Sequence, residues 1–184
     1  MLRIQWEVRY TSAPSAVRYC KRCAERTAFM PTGLFRVNAQ QKALDIWLIY
    51  KCGRCKTTWN MTVLSRVRPT QIPAKALEGY HANDTALARE VAMNAALVRK
   101  NGAEPGAPEY TLHGEPVPEG QCVELCIVAE PSDVRLAAVL REILGLSRSA
   151  FDRRVQNHTV VGASGEDIRK RKLGGRIVIQ IKPE

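Results

Sequence analysis

The strongest constraint on the fold is a pair of Cys-x-x-Cys motifs, Cys20/Cys23 and Cys52/Cys55, separated by 28 residues. Two such pairs supply the four thiolates of a closed tetrahedral zinc site. The two-residue spacing lets a tight turn, with Gly53 in the second motif, aim both sulfurs at one ion while its backbone N–H groups face them. The motifs therefore predict one structural zinc ion, held by Cys20, Cys23, Cys52 and Cys55.

Other chemistries of paired cysteines fit this chain less well. A disulfide framework belongs to secreted proteins, and the sequence shows no secretory signal. A redox motif needs a strand-to-helix context, whereas both pairs lie between strand-like runs. A catalytic zinc keeps an open position and usually has His or carboxylate ligands, and this region contains no histidine. We expect the metal to hold the fold and to do no chemistry.

The N-terminal segment MLRIQWEVRY carries charges and lacks an apolar signal core. No run of residues approaches the 18 or so apolar residues that a membrane helix needs. We therefore expect a soluble protein of a reducing cytoplasm, with no membrane partner.

Charge is distributed unevenly along the chain. Residues 1–68 hold 13 Lys and Arg against 3 Asp and Glu (+10), residues 69–131 hold 4 against 9 (−5), and residues 132–184 hold 11 against 6 (+5). Two basic regions thus flank an acidic connector. This arrangement is typical of proteins that bind polyanions, although a basic surface also serves solubility alone.

The first 68 residues have the alternation of a β structure. Apolar residues at every second position from 2 to 10 predict a half-buried strand that pairs with a ribbon formed by strands at 34–38, 43–50 and 57–64. The strand at 43–50 is apolar on both faces, which favours a central position. Trp47 and Trp59 are predicted to pack in the core of this ribbon rather than to stack on bases.

The acidic connector predicts a helix, a loop and a strand. Asn83 or Asp84 can cap a helix that runs to about Lys100, and residues 102–120 are rich in Gly, Pro and Glu and predict a loop. Cys122 and Cys126 fall on one face of a strand at 122–129. We expect both cysteines to be small buried apolar residues, and the alternative is that they are extra metal ligands.

The C-terminal region predicts two short helices and a small sheet. Ser132 or Asp133 starts the first helix, Ser147 caps a second that runs to about Gln156, and the last strand covers 176–181. The predicted fold class is α+β: a small antiparallel zinc ribbon (1–68), an acidic connector with one long helix and a strand (69–131), and a C-terminal module (132–184).

The C-terminal module resembles the S-four RNA-binding domain, which occurs in pseudouridine synthases and tyrosyl-tRNA synthetases. The matching residues are Arg135-Leu136, the run LSRS at 146–149, and Gly175-Arg176-Ile177. His158 stands where the family has a glycine. The resemblance implies phosphate contacts at the start of the second helix and at nearby basic residues, which in this chain are Arg135, Arg148, Ser149 and Arg153.

A basic run adds to this predicted surface, at Arg169, Lys170, Arg171 and Lys172. A helix N-terminus with adjacent guanidinium groups favours phosphate. The alternative is that Arg148 pairs with Asp152 four residues later, and that the basic run is a solvated turn.

Over nearly its whole length the chain resembles the bacterial family of unknown function numbered 1062. The resemblance rests on the segments TGLFRVNAQ, LDIWLIYKCGRC, TTWNMTVLSR, LSRSAFDRRV and KLGGRIVIQI. It implies no activity.

These patterns predict a zinc-containing nucleic-acid-binding protein, with RNA favoured over DNA because of the S-four resemblance, and with RNA, the ribosome or another protein as partners. The alternative is a non-enzymatic scaffold factor that uses the zinc ribbon to bind proteins. No catalytic residue is predicted, because His81, His113 and His158 are scattered with no partner pattern. The oligomeric state is left open.

Overall fold

The polypeptide forms two five-stranded sheets and five α-helices within residues 1–40 and 42–183, the part of the chain that the computed structural model describes. Ser12–Pro108 make one compact unit, here called the central unit. Met1–Thr11 and Glu109–Glu184 make the other, the terminal unit. The predicted boundaries after residues 68 and 131 coincide with neither unit, because strand pairing joins segments that are distant in sequence.

The strands are β1 Leu2–Tyr10, β2 Ala16–Cys20, β3 Glu25–Gln40, β4 Ala43–Cys52, β5 Thr58–Val67, β6 Glu104–Pro105, β7 Tyr110–Gly114, β8 Val123–Ala129, β9 Val160–Gly162 and β10 Gly175–Ile181. The α-helices are α1 Ala74–Ala82, α2 Thr85–Met93, α3 Ala95–Lys100, α4 Leu136–Ile143 and α5 Arg148–Gln156. A 3-10 turn covers Pro69–Gln71. None of the described helices is long and apolar enough to cross a membrane.

The central unit is an antiparallel sheet of order β5-β4-β3-β2-β6, so β4 has the central position that its apolar sequence predicted. Ile46, Leu48 and Tyr50 point to one face of β4 and are fully buried. Tyr80 of α1 and Val91 of α2 are buried in the same apolar cluster. The helices of this unit therefore cover one face of its sheet.

Trp47 lies on the other face of β4, because residues 47 and 49 alternate with 46, 48 and 50. It stands opposite Arg36 of β3 and is absent from the described apolar cluster, so the prediction that it packs in the core is wrong. The same prediction for Trp59 is confirmed. Its ring packs against the cluster, with its centroid 5.2 Å from that of Tyr50 and 6.0 Å from that of Phe29.

The first strand belongs to the terminal unit, whose sheet has the order β7-β1-β8-β10-β9. β1 pairs in parallel with β8, with Ile4 opposite Leu125, and antiparallel with β7. Ile179 of β10 extends the same row and is fully buried. The prediction that β1 pairs with the ribbon is wrong, because alternation reports that a strand has one buried face without specifying its partner.

The predicted loop at 102–120 contains two edge strands. β6 pairs with β2 at Ala16 and Val17, and β7 pairs with β1. Both lie at a sheet edge, where a proline such as Pro105 costs little because no ladder hydrogen bond is needed on its outer side. The Gly- and Pro-rich composition of this segment predicted only a loop, because it does not show that β2 and β1 offer free edges with which β6 and β7 pair.

The predicted connector helix is divided into two. Asp84 caps α2 by accepting a hydrogen bond from the Leu87 N–H at 2.8 Å, as predicted for one of the two candidate caps. Asn94 then interrupts the helix and caps α3, accepting from the Leu97 N–H at 3.0 Å. Helix α1, just after Pro73, was not predicted.

Helix α4 begins at Leu136, later than predicted. Before it, Val134 O accepts from the Leu173 N–H at 2.9 Å and Arg171 O accepts from the Leu136 N–H at 2.9 Å. The Ser132 hydroxyl accepts from the Val134 N–H instead of capping a helix. Helix α5 and its Ser147 cap are confirmed, with Ser147 Oγ accepting from the Ala150 N–H at 3.2 Å.

Candidate metal centre and basic groove

The four predicted cysteine ligands lie at one end of the central sheet. Cys20 and Cys23 stand at the turn between β2 and β3, and Cys52 and Cys55 at the turn between β4 and β5. Because β3 lies between β2 and β4, both turns occur at the same end of neighbouring strands. Antiparallel pairing alone thus brings together cysteines that are about 30 residues apart in sequence.

The four Sγ atoms lie within 4.8 Å of one another and form one cluster. Cys20 Sγ is 3.5 Å from Cys55 Sγ, and Cys23 Sγ is 3.9 Å from Cys52 Sγ. A tetrahedral ion with metal–sulfur bonds of about 2.3 Å requires sulfurs about 3.8 Å apart. The cluster therefore fits one metal ion, and a set of four thiolates favours zinc.

Polar groups around the cluster favour thiolates at two of its members. The Thr27 hydroxyl, 3.2 Å from Cys52 Sγ, lowers the pKa of Cys52 to about 6 together with the backbone N–H groups of Cys55 and Arg54. Thr57 Oγ1, 3.1 Å from Cys55 Sγ, likewise lowers the pKa of Cys55. These contacts agree with the predicted N–H groups facing the sulfurs.

Cys23 has the opposite shift. The neighbouring Cys55 thiol and partial burial raise the pKa of Cys23 to about 12. Four sulfurs this close cannot all ionise without a cation between them, because like charges repel. The four cysteines are therefore suited to binding a cation, and without one they cannot all be thiolates.

Both cysteine turns have a residue with positive φ at the same place. Ala24 and Lys56 follow the second cysteine of each pair with positive φ values of 56° and 62°. The Gly53 N–H donates to Ala28 O at 2.9 Å, and a Cβ at this glycine would lie 3.2 Å from that oxygen. Gly53 is therefore required by the close approach of β3 rather than by its own φ angle.

Arg18 is a residue of the centre that the sequence analysis missed. Its guanidinium carbon lies 4.2 Å from the Trp59 ring centroid, and Nη1 is buried without a hydrogen-bond partner among the described residues. Burial lowers the pKa of Arg18 while the nearby Cys20 raises it. Its position two residues before Cys20 on a strand was the available signal, since residues i and i+2 share a face.

Cys122 and Cys126 are not members of the cluster. Among the described residues, the cluster contains only the four cysteines of the two Cys-x-x-Cys motifs. Cys126 is buried on β8 and stands opposite Gln5 and Val178, whereas Cys122 is exposed. Both belong to the terminal unit. The buried apolar role therefore applies to Cys126 alone.

A separate groove in the terminal unit has a volume of about 860 Å³. Four of the eight predicted nucleic-acid-binding residues line it: Arg135, Arg148, Arg169 and Lys170. Arg141 of α4 also lines the groove and was missed, because a separation of six residues from Arg135 is not the i+3 or i+4 spacing that marks one helix face. Two carboxylates, Asp152 and Asp167, stand among these five cations.

Several predicted cations are paired. Arg148 and Asp152 are 4.0 Å apart, so the predicted i,i+4 alternative exists, but both side chains are exposed and such a pair contributes little. Arg169 pairs with Asp167 at 3.0 Å. Away from the groove lining, Arg171 pairs with Glu166 and Lys172 with Asp133.

Ser149 and Arg153 also lie outside the lining of this groove. Ser149 Oγ is 3.1 Å from Ser147 Oγ, at the exposed start of α5. The four-residue spacing of Arg148 and Asp152 brings both side chains to the groove, whereas Arg153 is displaced around the helix.

The fold and the site define an α+β protein with a four-cysteine cluster that fits one metal ion in one unit and a basic groove in the other. The chain matches the model of the family described as "Protein of unknown function (DUF1062)" over residues 37–166, more than half of its length. It belongs to that family, as the sequence resemblance predicted. Comparison with curated proteins and with solved structures found no match.

Proposed function

We propose that this protein binds RNA through phosphate contacts in the groove of the terminal unit, while a structural zinc ion holds the central sheet. The observation that carries the proposal is the convergence of Arg135, Arg148, Arg169 and Lys170 on one groove. These residues come from three separate segments of the sequence. Five cations against two carboxylates leave an excess positive charge where a phosphate backbone would lie.

Helix α5 supports an anion site at the same place. Ser147 caps the helix, and Arg148 stands in its first turn, where the helix has partial positive charge. Guanidinium groups suit this role because their planar N–H pairs match phosphate oxygens. Cations on two helices and the basic run would therefore contact successive phosphates of one strand.

The S-four resemblance also supports the choice of RNA. Helices α4 and α5 are followed by β9 and β10, which pair antiparallel. His158 has a φ of 56°, the left-handed conformation expected where the family has glycine. This order of elements agrees with the module of two helices and a small sheet that the resemblance implies.

The proposed metal is one zinc ion bound by Cys20, Cys23, Cys52 and Cys55. Four thiolates leave no open position on a tetrahedral ion, so the metal would stabilise the cysteine end of the sheet without activating water. The proposal therefore includes no catalytic step, and the protein acts as a binding protein.

Salt dependence of RNA binding tests the groove. We expect Arg135→Gln with Lys170→Gln to reduce the slope of log affinity against log salt by about two, roughly one for each lost contact. Arg153→Gln with Arg176→Gln removes two cations of the same unit outside the groove lining and is the matched control. The control should change the slope by much less.

Two results would contradict this function. Equal loss in both double variants would mean that general charge attracts RNA and that the groove has no special role. Failure of the parent protein to bind RNA at low salt would instead favour the protein-binding scaffold hypothesis.

A further inference from the structure

The central unit presents a second surface, the outer face of its sheet. Alternation places Trp47, Ile49 and Lys51 of β4 on this face, opposite to the buried Ile46 and Leu48. The helices of the same unit contribute to the apolar cluster on the inner face. The outer face is thus the uncovered side of the sheet within its own unit.

Aromatic and apolar side chains are exposed on this face. The register places Met30 opposite Lys51 and Tyr19 opposite Arg26 on the same side of the sheet as Trp47. Met30 is 47% exposed and Tyr19 is 56% exposed. Trp47 and Ile49 of the same face are half-buried. Together these four side chains give the face an aromatic and apolar character that a ligand with flat apolar groups can cover.

Cations stand beside these side chains. The Arg36 guanidinium lies 5.9 Å from the Trp47 ring centroid. Arg36 and Lys51 make no ion pair within residues 1–40 and 42–183, whereas Arg26 pairs with Glu104 at the edge of the sheet. Among the described residues, Arg36 therefore stands unpaired beside the indole ring, and Lys51 stands unpaired on the same face four residues farther along β4.

The division of charge between the units points the same way. The central unit holds 15 Lys and Arg against 6 Asp and Glu, which gives +9, and the terminal unit holds 13 against 12, which gives +1. Zinc with four thiolates would reduce the central value to about +7. Most of the net positive charge of the protein therefore belongs to the unit that carries this face.

We propose that the outer face of the central sheet is a stacking surface for single-stranded RNA. The Trp47 ring would stack on a base, while Arg36 binds an adjacent phosphate and Lys51 binds a phosphate farther along the strand. Aromatic rings on a basic surface bind single strands without sequence preference, because every base has a π face. The choice of RNA rests on the proposed function, whereas the surface itself is independent of the groove.

A protein partner fits this face less well. Lysine is depleted at protein interfaces, but Lys51 stands opposite the exposed Met30 on this face. A second copy of the chain would bring identical cations together across a two-fold axis, and they would repel. A polyanion with flat apolar bases complements both the charge and the ring.

Two probes of equal length separate base stacking from phosphate contact. The first is oligouridine of about 12 nucleotides, within the usual site size for such surfaces, and the second is an abasic ribose-phosphate strand of the same length. Binding of each to the full-length, zinc-loaded protein is measured by fluorescence anisotropy. Trp47→Leu removes the π face, and Trp47→Phe keeps one.

We expect Trp47→Leu to weaken oligouridine binding about 10- to 100-fold and to leave binding of the abasic strand within about twofold. Trp47→Phe should retain most of the affinity for oligouridine. Thermal unfolding and zinc content of both variants verify that the sheet is intact. Arg36→Gln should weaken binding of both probes, because it removes a phosphate contact.

Three outcomes would overturn the inference. Unchanged oligouridine binding by Trp47→Leu, with a normal effect of the groove variant, would remove the stacking surface and leave the proposed function standing. Absence of RNA binding by the parent protein would remove both. A change of the protein from dimer to monomer on Trp47→Leu, measured by sedimentation, would assign the face to a second copy.

Discussion

Arg18 lies against Trp59 on the inner side of the central sheet, with its guanidinium carbon 4.2 Å from the ring centroid. Cys20 follows two residues later on the same strand. The pair therefore links the apolar core to the cysteine cluster, and it places a partly buried cation beside a site that would carry excess negative charge when four thiolates bind a divalent ion.

Replacing Arg18 by Met should destabilise the central unit, because it removes the cation–π contact and the nearby positive charge while keeping apolar bulk. The expected loss is about 1 kcal/mol, or a decrease of about 5 °C in the melting temperature. Arg22→Met is the matched control, since Arg22 is an exposed cation within the first cysteine turn. Calorimetry with equal loss in both variants would contradict a specific role for Arg18.

Removing one ligand should release the metal. Cys52→Ser is expected to lose the zinc and to unfold the cysteine end of the central sheet, because binding free energy of a structural metal is folding free energy. Elemental analysis should give one zinc per chain for the parent protein and for Cys122→Ser, which alters an exposed cysteine outside the cluster. Parent protein that contains no zinc when purified without chelators would exclude the site.

Ala24→Gly should stabilise the protein. Ala24 has a φ of 56°, a left-handed conformation that costs about 1 to 2 kcal/mol for a residue with a Cβ. Glycine removes this strain, but its greater freedom in the unfolded chain offsets about half of the resulting stabilisation. We expect a net gain of about 0.5 to 1 kcal/mol in denaturant unfolding. Ala28→Gly, within strand β3, should instead destabilise by a similar amount.

Shortening Ile4 should destabilise the terminal unit and leave the metal centre intact. Ile4 is buried and stands opposite Leu125, so Ile4→Ala is expected to cost about 2 to 4 kcal/mol. Hydrogen exchange should show faster opening of Val123–Ala129 and Gly175–Ile181, with little change in Ala43–Cys52. Gln5→Ala, at the next position of the same strand, is the control. Loss of protection in Ala43–Cys52 instead would contradict the assignment of β1 to the terminal unit.

Local patterns predicted local structure well. The Ser147 cap and helix α5 follow from side-chain hydrogen bonding within a few residues, so no distant contact is needed to specify them. Asp84 is a similar case. By contrast, the start of α4 was displaced because residues near 171–173 pair with the segment before it, and that competition comes from a distant part of the chain.

The two tryptophans show that the sequence does not specify which face of a strand is buried. Alternation along β4 placed Trp47 and Ile46 on opposite faces, but which face the helices cover depends on α1 and α2, which are distant in sequence. Trp59 shares the covered face, because it stands opposite Tyr50 in the register of β4 and β5. Which face of the strand is buried therefore depends on tertiary packing, whereas which residues share a face follows from local alternation.

By itself the sequence identified the four cysteines that form the cluster, because ligand type and two-residue spacing are local chemical requirements of a tetrahedral ion. It also determined the family and the basic character of the chain. Only the tertiary structure decided that β1 pairs with β8, that Arg135, Arg148, Arg169 and Lys170 meet at one groove, and that the central unit carries nearly all the excess charge. These features depend on pairing between distant segments, which hydrophobic alternation permits in many ways and which packing of the whole chain restricts to one.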